Sequence, residues 1–157
     1  MTNLKEGETA PMLELLDRSS IRDIIDRYFF ALDRRDWDEL SSCFTSDARW
    51  ESSSDNVVIT GNKAIVERLH FVAKFSASSH MPSSQSIKIS GDTAAADTFA
   101  LVHLVFGPID NGRIFVRGLR YLDEFVRTAE GWRIQHRRHI PIWQYVAETV
   151  PTFTIEH

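Results

Sequence analysis

The chain has 157 residues and a formal net charge of −4, with 43% hydrophobic and 25% charged residues. That length suits one compact domain able to bury about 68–70% of its unfolded surface, enough for a core and one internal pocket. Cys43 is the only cysteine, which excludes an internal disulfide scaffold and points to a cytoplasmic setting. No apolar run of about 20 residues could span a membrane, Met1 to Ala10 lacks the basic-then-apolar order of a signal peptide, and the interspersed charges leave no basic footprint for nucleic acid.

Residues 1–12 are polar, end near Ala10-Pro11 and read as a flexible leader before a single domain over 13–147, with 148–157 as a tail. From Ser20, a plausible N-cap, the apolar residues Ile21, Ile24, Ile25, Tyr28, Phe29 and Leu32 recur at helical spacing and predict one core-facing stripe. The helix should stop near Asp33-Arg34-Arg35, and Asp36 with Glu39 supplies a capping box for a second, short helix through Trp37, Leu40 and Phe44. Short strands are expected at 48–51 and 57–60, then a third helix over 63–74 with Ile65, Val66, Leu69 and Val72 on one face. After Phe75 the pattern turns to strands, about 77–89, 93–106, 113–128 and 132–146, punctuated by Ser90-Gly91-Asp92, Gly107-Pro108, Asn111-Gly112 and Ala129-Glu130-Gly131. Sequential hairpins after N-terminal helices give an α+β domain, a long curved antiparallel sheet wrapped into a cone over the helices.

Ionisable residues inside apolar segments are the candidates for chemistry, because buried charge is retained only with a partner or a purpose. Asp33 ends the core stripe and is either a polar helix stop or an inward carboxylate; Tyr28 lies on the stripe as a core residue or a pocket hydroxyl. His80 opens the first long strand beside Pro82, a setting that fits an edge segment where a side chain can face a cavity. His103 interrupts Phe99 to Phe106, a run apolar at both parities and so expected to be buried on both faces, as a satisfied core histidine or a pocket acid or base. His136 and His139, three apart on a strand, face opposite ways and cannot share one metal. With no other ligand spacing, phosphate loop, nucleophile elbow or dinucleotide fingerprint, the expectation is chemistry without metal or cofactor. Aromatic residues are in surplus at 11%, and Phe29, Trp50, Phe71, Phe99 and Trp143 are candidate pocket walls for a small apolar substrate, with core packing as the alternative for each.

The segment from Ile21 through Tyr28-Phe29-Phe30-Ala31-Leu32-Asp33 to Leu40, then Phe44-Thr45-Ser46-Asp47-Ala48, Ser79-His80-Met81, Asp123-Glu124-Phe125 and Gly131-Trp132-Arg133-Ile134, resembles SnoaL-like proteins of the nuclear-transport-factor-2-like superfamily over residues 18–143. The resemblance implies a cone with a deep pocket, assembled as a dimer or trimer. Its lyases, scytalone dehydratase, bile acid 7α-dehydratase and γ-hexachlorocyclohexane dehydrochlorinase, use an Asp–His pair whose positions match Asp33 and His80. It further implies an acid at Tyr28, a second acid or base at His103, a pocket wall at Trp50 and a pocket arginine at Arg137. Strict alternation puts Arg137 opposite Trp132 and Ile134, so an inward Arg137 requires a bulge. The function so implied is an elimination, dehydration or dehydrohalogenation, or an isomerisation, of an aromatic or polycyclic substrate. The alternatives are a non-catalytic assembly subunit like those of ring-hydroxylating dioxygenases, and an epoxide hydrolase with Asp97 as its second carboxylate.

Overall fold

The computed structural model describes residues 6–107 and 112–149, with side chains from Ala10 onward. The first five residues, the Pro108 to Asn111 part of the expected turn and the tail beyond Thr149 lie outside the described residues.

Helix α1 runs Glu6–Arg34. Its expected stripe is in place, with Ile21, Ile24, Ile25, Tyr28, Phe29 and Leu32 all buried. The helix begins earlier than the apolar spacing indicates, because Met12, Leu13, Leu15 and Leu16 are about half exposed and pack into no core that would give the first turns a periodic signature. Ser20 is therefore inside the helix and caps nothing: its hydroxyl donates to the Leu16 carbonyl at 2.9 Å. Helix α2, Trp37–Ser42, starts as expected, with Asp36 Oδ1 accepting from the Glu39 amide at 3.0 Å. Strands β1 (Phe44–Ser52) and β2 (Val57–Thr60) precede α3 (Asn62–Leu69), which tightens into a 3-10 turn over His70–Lys74. Phe44, which its spacing assigns to α2, instead opens β1 ahead of the expected residue 48, because it pairs with Ile134 of the last strand. Four long strands follow: β3 (Ala77–Ser90), β4 (Thr93–Phe106), β5 (Arg113–Thr128) and β6 (Gly131–Glu148).

The six strands form one curved, unclosed sheet in the order β2-β1-β6-β5-β4-β3, antiparallel throughout except for the parallel β1/β6 pair. The architecture is α+β, with the stripe of α1 packed on the concave face. Alternation assigns the faces. On β4 the even residues Ala96, Thr98, Ala100, Val102 and Leu104 are buried, while Asp97, Phe99, Leu101, His103 and Val105 are only half-buried on the convex side. His103 thus leaves the interior, and the run reads as apolar at both parities because the convex face is itself apolar: Trp143 and Tyr145 of β6 stack there. Trp143 covers Gly118, where any Cβ would overlap the indole.

Strand β6 changes face part-way. Ile134 pairs with Phe125 but His136 pairs with Glu124, so Gln135 is unmatched and the strand bulges. Trp132 and Ile134 point inward before the bulge; Arg137 is fully buried after it. The required bulge exists, yet Arg137 does not reach the cavity. Its Nε and Nη2 each donate at 2.7 Å to the two oxygens of Asp123, and both side chains are fully buried. The guanidinium lies 4.0 Å from the Tyr28 ring centroid and 4.6 Å from that of Tyr121. Burial opposes the Arg137 charge, but Asp123 more than offsets it and raises its pKa.

Removing one partner of such a pair strands a buried charge, at a cost of about 3–5 kcal/mol, whereas replacing both by apolar side chains costs far less. Asp123→Ala is expected to lose that much stability in urea unfolding, and Asp123→Leu with Arg137→Met to recover most of it. Equal losses in the two variants would show that the pair is not what the floor depends on.

Candidate active site

Asp33 occupies the last turn of α1, and the helix end fixes where it points. Arg35 takes the left-handed position that usually selects glycine, with φ 63°, and the Asp36 amide returns to the Ala31 carbonyl at 2.9 Å. Arg35 Nη1 donates to the carbonyls of Leu32 and Asp33, both at 2.9 Å, and to Ser78 Oγ at 2.7 Å. This one side chain fastens the end of α1 to the start of β3. Strand β3 is the edge strand expected for His80, and its pairing with β4 shifts between Pro82 and Gln85, next to that residue.

Across the joint, Asp33 accepts three hydrogen bonds: from Ser78 Oγ at 2.7 Å, from the His80 amide at 2.8 Å and from His80 Nδ1 at 2.6 Å. Burial alone would raise the Asp33 pKa, but the bonds from His80 and Ser78 overcome it and hold the carboxyl below its usual range. An ionised Asp33 can only accept, so Nδ1 of a neutral His80 carries the proton and Nε2 bears the lone pair. The ring, 4% exposed, stacks on Phe29 with centroids 5.9 Å apart.

His80 lines a cavity of about 90 Å³, room for several waters. Leu32, Val102, Leu104, Phe115 and Leu119 form its apolar walls; Tyr28, Tyr121, Arg117 and His139 are polar groups around it. Burial pushes the phenols of Tyr28 and Tyr121 up, so both hydroxyls hold their protons. Arg68 and Asp55, ion-paired at 3.0 Å, stand with Phe71 among the outer lining residues.

The residues singled out from sequence therefore divide. Asp33 and His80 meet, and Tyr28, Trp50 and Phe71 line the same cavity. Phe29 backs His80 from the core. Arg137 lies beneath the cavity in its pair with Asp123, while His103, Phe99 and Trp143 are on the convex face. Asp97 is also outside, bound by Arg120, so it adds no second carboxylate to Asp33. Sequence reasoning missed Arg117, Tyr121 and His139. The signal was parity: Phe115, Arg117, Leu119, Tyr121, Asp123 and Phe125 share one face of β5, so Arg117 and Asp123 are charges on its concave side. Among the described residues no three potential ligands cluster for a metal, and no helix is long and apolar enough to cross a membrane.

Known proteins bear on this geometry. The SnoaL-like domain family matches residues 13–138. The chain belongs to that family. An uncharacterized protein of Mycobacterium tuberculosis is 33% identical over 125 residues, 79% of this chain and 84% of that one. Among solved SnoaL-like folds of the NTF2-like superfamily, a scytalone dehydratase-like protein of Novosphingobium aromaticivorans superposes with a TM-score of 0.73 at 21% identity, over 91% of this chain and 97% of the other. The hexachlorocyclohexane dehydrochlorinase LinA-type3 of Novosphingobium barchaimii gives 0.75 at 15% identity, over 90% and 97%. At those identities the likeness is one of fold.

His139 gives a measurable consequence. Burial first, then the charges of Arg117 and Arg137, pushes its imidazole from 6.5 down to about 4. The unfolded chain therefore binds a proton that the folded chain refuses, and stability falls as pH drops from about 6.5 towards 4. The loss is expected to be on the order of 3 kcal/mol, in a window above that of Asp33, whose contribution fades only below the ordinary carboxylate range. Urea unfolding at pH 7 and pH 4.5 should show a smaller pH-dependence in His139→Gln than in the wild type; identical slopes would contradict it.

Proposed function

We propose that the protein is a lyase that eliminates water or a halide from a small, largely apolar and cyclic substrate without a cofactor, with isomerisation through the same proton transfer as the nearest variant. The observation that carries this reading is the Asp33–His80 hydrogen bond of 2.6 Å at the cavity. His80 Nε2 removes a proton from carbon, and Asp33 fixes the tautomer and stabilises the imidazolium. The C–H electron pair forms the new double bond as the leaving group departs from the adjacent carbon. When that group is hydroxyl it takes a proton, from Tyr28 or from the imidazolium, and leaves as water; the role considered for His103 falls to Tyr28, because His103 faces outward.

The dehydratase-like and dehydrochlorinase relatives of the fold support elimination as the reaction class. A purely assembling subunit has no need of a carboxylate with three donors aimed at it beside a cavity. The half-exposed convex residues Leu101, Phe99, Trp143 and Tyr145 support a homo-oligomer built through that face, dimer or trimer.

Cyclic β-hydroxy ketones and chlorinated cyclohexanes, followed for alkene formation and for deuterium uptake at carbon in heavy water, test the reading. His80→Gln is expected to lower turnover by about 10²–10⁴-fold, with Asp33→Asn in the same direction and both proteins folded. Undiminished turnover or exchange in His80→Gln would remove His80 as the base.

A further inference from the structure

The proposed base is one end of the cavity's chemistry, and the opposite wall carries polar groups that the elimination reading leaves idle. Strand β6 is separated from β3 by β5 and β4, so across the concave sheet His139 stands on a different wall from His80, and both line the same cavity. Trp50 and His139 stack there with centroids 5.8 Å apart, and Tyr121 meets His139 edge-on at 5.6 Å. Trp50 is 5% exposed. Trp50 Nε1 and His139 Nδ1 are both buried without a hydrogen-bond partner among the described residues. An indole N–H can only donate, and leaving such a donor dry and unpaired costs free energy that a ligand acceptor would restore.

Arg117 adds charge to the same wall. Its Nε and Nη2 donate to a neutral partner, Gln144 Oε1, at 3.1 and 2.8 Å, its guanidinium lies 4.8 Å from the Phe115 ring centroid, and it enters no salt bridge among the described residues. Burial lowers its pKa, with Tyr121 and Asp55 acting in the other direction. The acid at the mouth, Asp55, is already committed to Arg68. Burial and the same guanidinium also keep His139 uncharged near neutral pH, so it meets a ligand as a neutral imidazole.

We propose that Arg117, Trp50 and His139 form an oxyanion subsite that holds the carbonyl oxygen of the substrate, which makes the substrate a carbonyl compound with an acidic α C–H. This rests on the reading of His80 as the base. As His80 Nε2 takes the α proton, the C–H pair becomes a carbon–carbon double bond and the carbonyl π pair moves onto oxygen. The resulting enolate oxygen meets the guanidinium charge and the indole N–H, with His139 as a neutral hydrogen-bonding neighbour. Return of that pair re-forms the carbonyl and expels the β leaving group. Hydrogen-bond donors placed where charge develops are the arrangement such a step requires. A substrate with no oxygen at this position would leave Arg117 and Trp50 unanswered.

Benzoate, an apolar ring bearing a charged oxygen pair, and benzamide, its neutral counterpart, probe the subsite without any turnover. Calorimetric titration, with the Trp50 indole N–H followed by NMR, is expected to show benzoate binding at least about tenfold more tightly than benzamide and shifting the Trp50 signal. Arg117→Met should abolish the preference and Arg117→Lys retain part of it, while His80→Gln leaves it intact. Equal affinities, a benzoate titration without effect on Trp50, or an unchanged preference in Arg117→Met would overturn the subsite. Because His80→Gln is scored here only for binding, failure of the base in turnover assays and failure of this subsite are separate results.

Discussion

A guanidinium taken out of water demands a carboxylate, and in this fold that demand organises the floor of the cavity. Arg137 and Asp123 sit side by side on β6 and β5, register partners across the ladder, with the rings of Tyr28 and Tyr121 against the guanidinium. Helix α1 and two strands are thereby fixed relative to one another by groups that cannot slide: a bidentate pair tolerates little displacement before it leaves charge unsatisfied. The two tyrosines have the cation over their ring faces and meet Phe29 and each other in edge-to-face contacts. Above that floor the cavity can stay open, since what lies beneath it does not depend on filling the space.

The Asp33–His80 pair stands on a second constraint, the strained end of α1. A non-glycine residue at positive φ costs roughly 1 kcal/mol, and here the side chain of the strained residue itself ties the helix end to β3. Arg35, Ser78, Asp33 and His80 form one chain of hydrogen bonds from the helix terminus to the imidazole. Its rigidity is local, carried by four side chains, and is separate from the packing of the sheet.

Much of this was legible in the sequence. The stripe from Ile21 to Leu32 announces a core helix because one side of it must be buried, and the long strands announce themselves through turn residues that nothing else requires. Asp33 and His80 could be suspected only because they interrupt such patterns and because the arrangement resembles a family; that they meet depends on the curvature of a whole sheet. His103 misled because a strand apolar on both sides looks doubly buried, when its second side is a half-exposed convex surface. Arg137 and His139 were harder, since a bulge resets which residues face inward and nothing about Gln135 marks it as the extra one. Arg117 was readable by parity along β5, where it alternates with Leu119 and Tyr121, yet a single charge on a strand draws little notice until its neighbours are placed.

The bulge at Gln135 makes the way β6 pairs, more than the identity of any one residue, the sensitive quantity in that strand. Gln135 touches none of the chemistry, and many side chains could stand in its place. Deleting it would leave Ile134, Arg137 and His139 at alternating positions, so the strand would pair regularly with the same residues inward. Pairing at the present length without the bulge would instead exchange the two sides of the ribbon beyond it, presenting His136 and Arg138 to the interior and sending Arg137 and His139 to the convex side. Asp123 would lose its cation and the far wall of the cavity its imidazole in one event, without any of those residues having changed. The extra residue is therefore a spacer that lets two residues of opposite parity, Ile134 and Arg137, share one side of the strand.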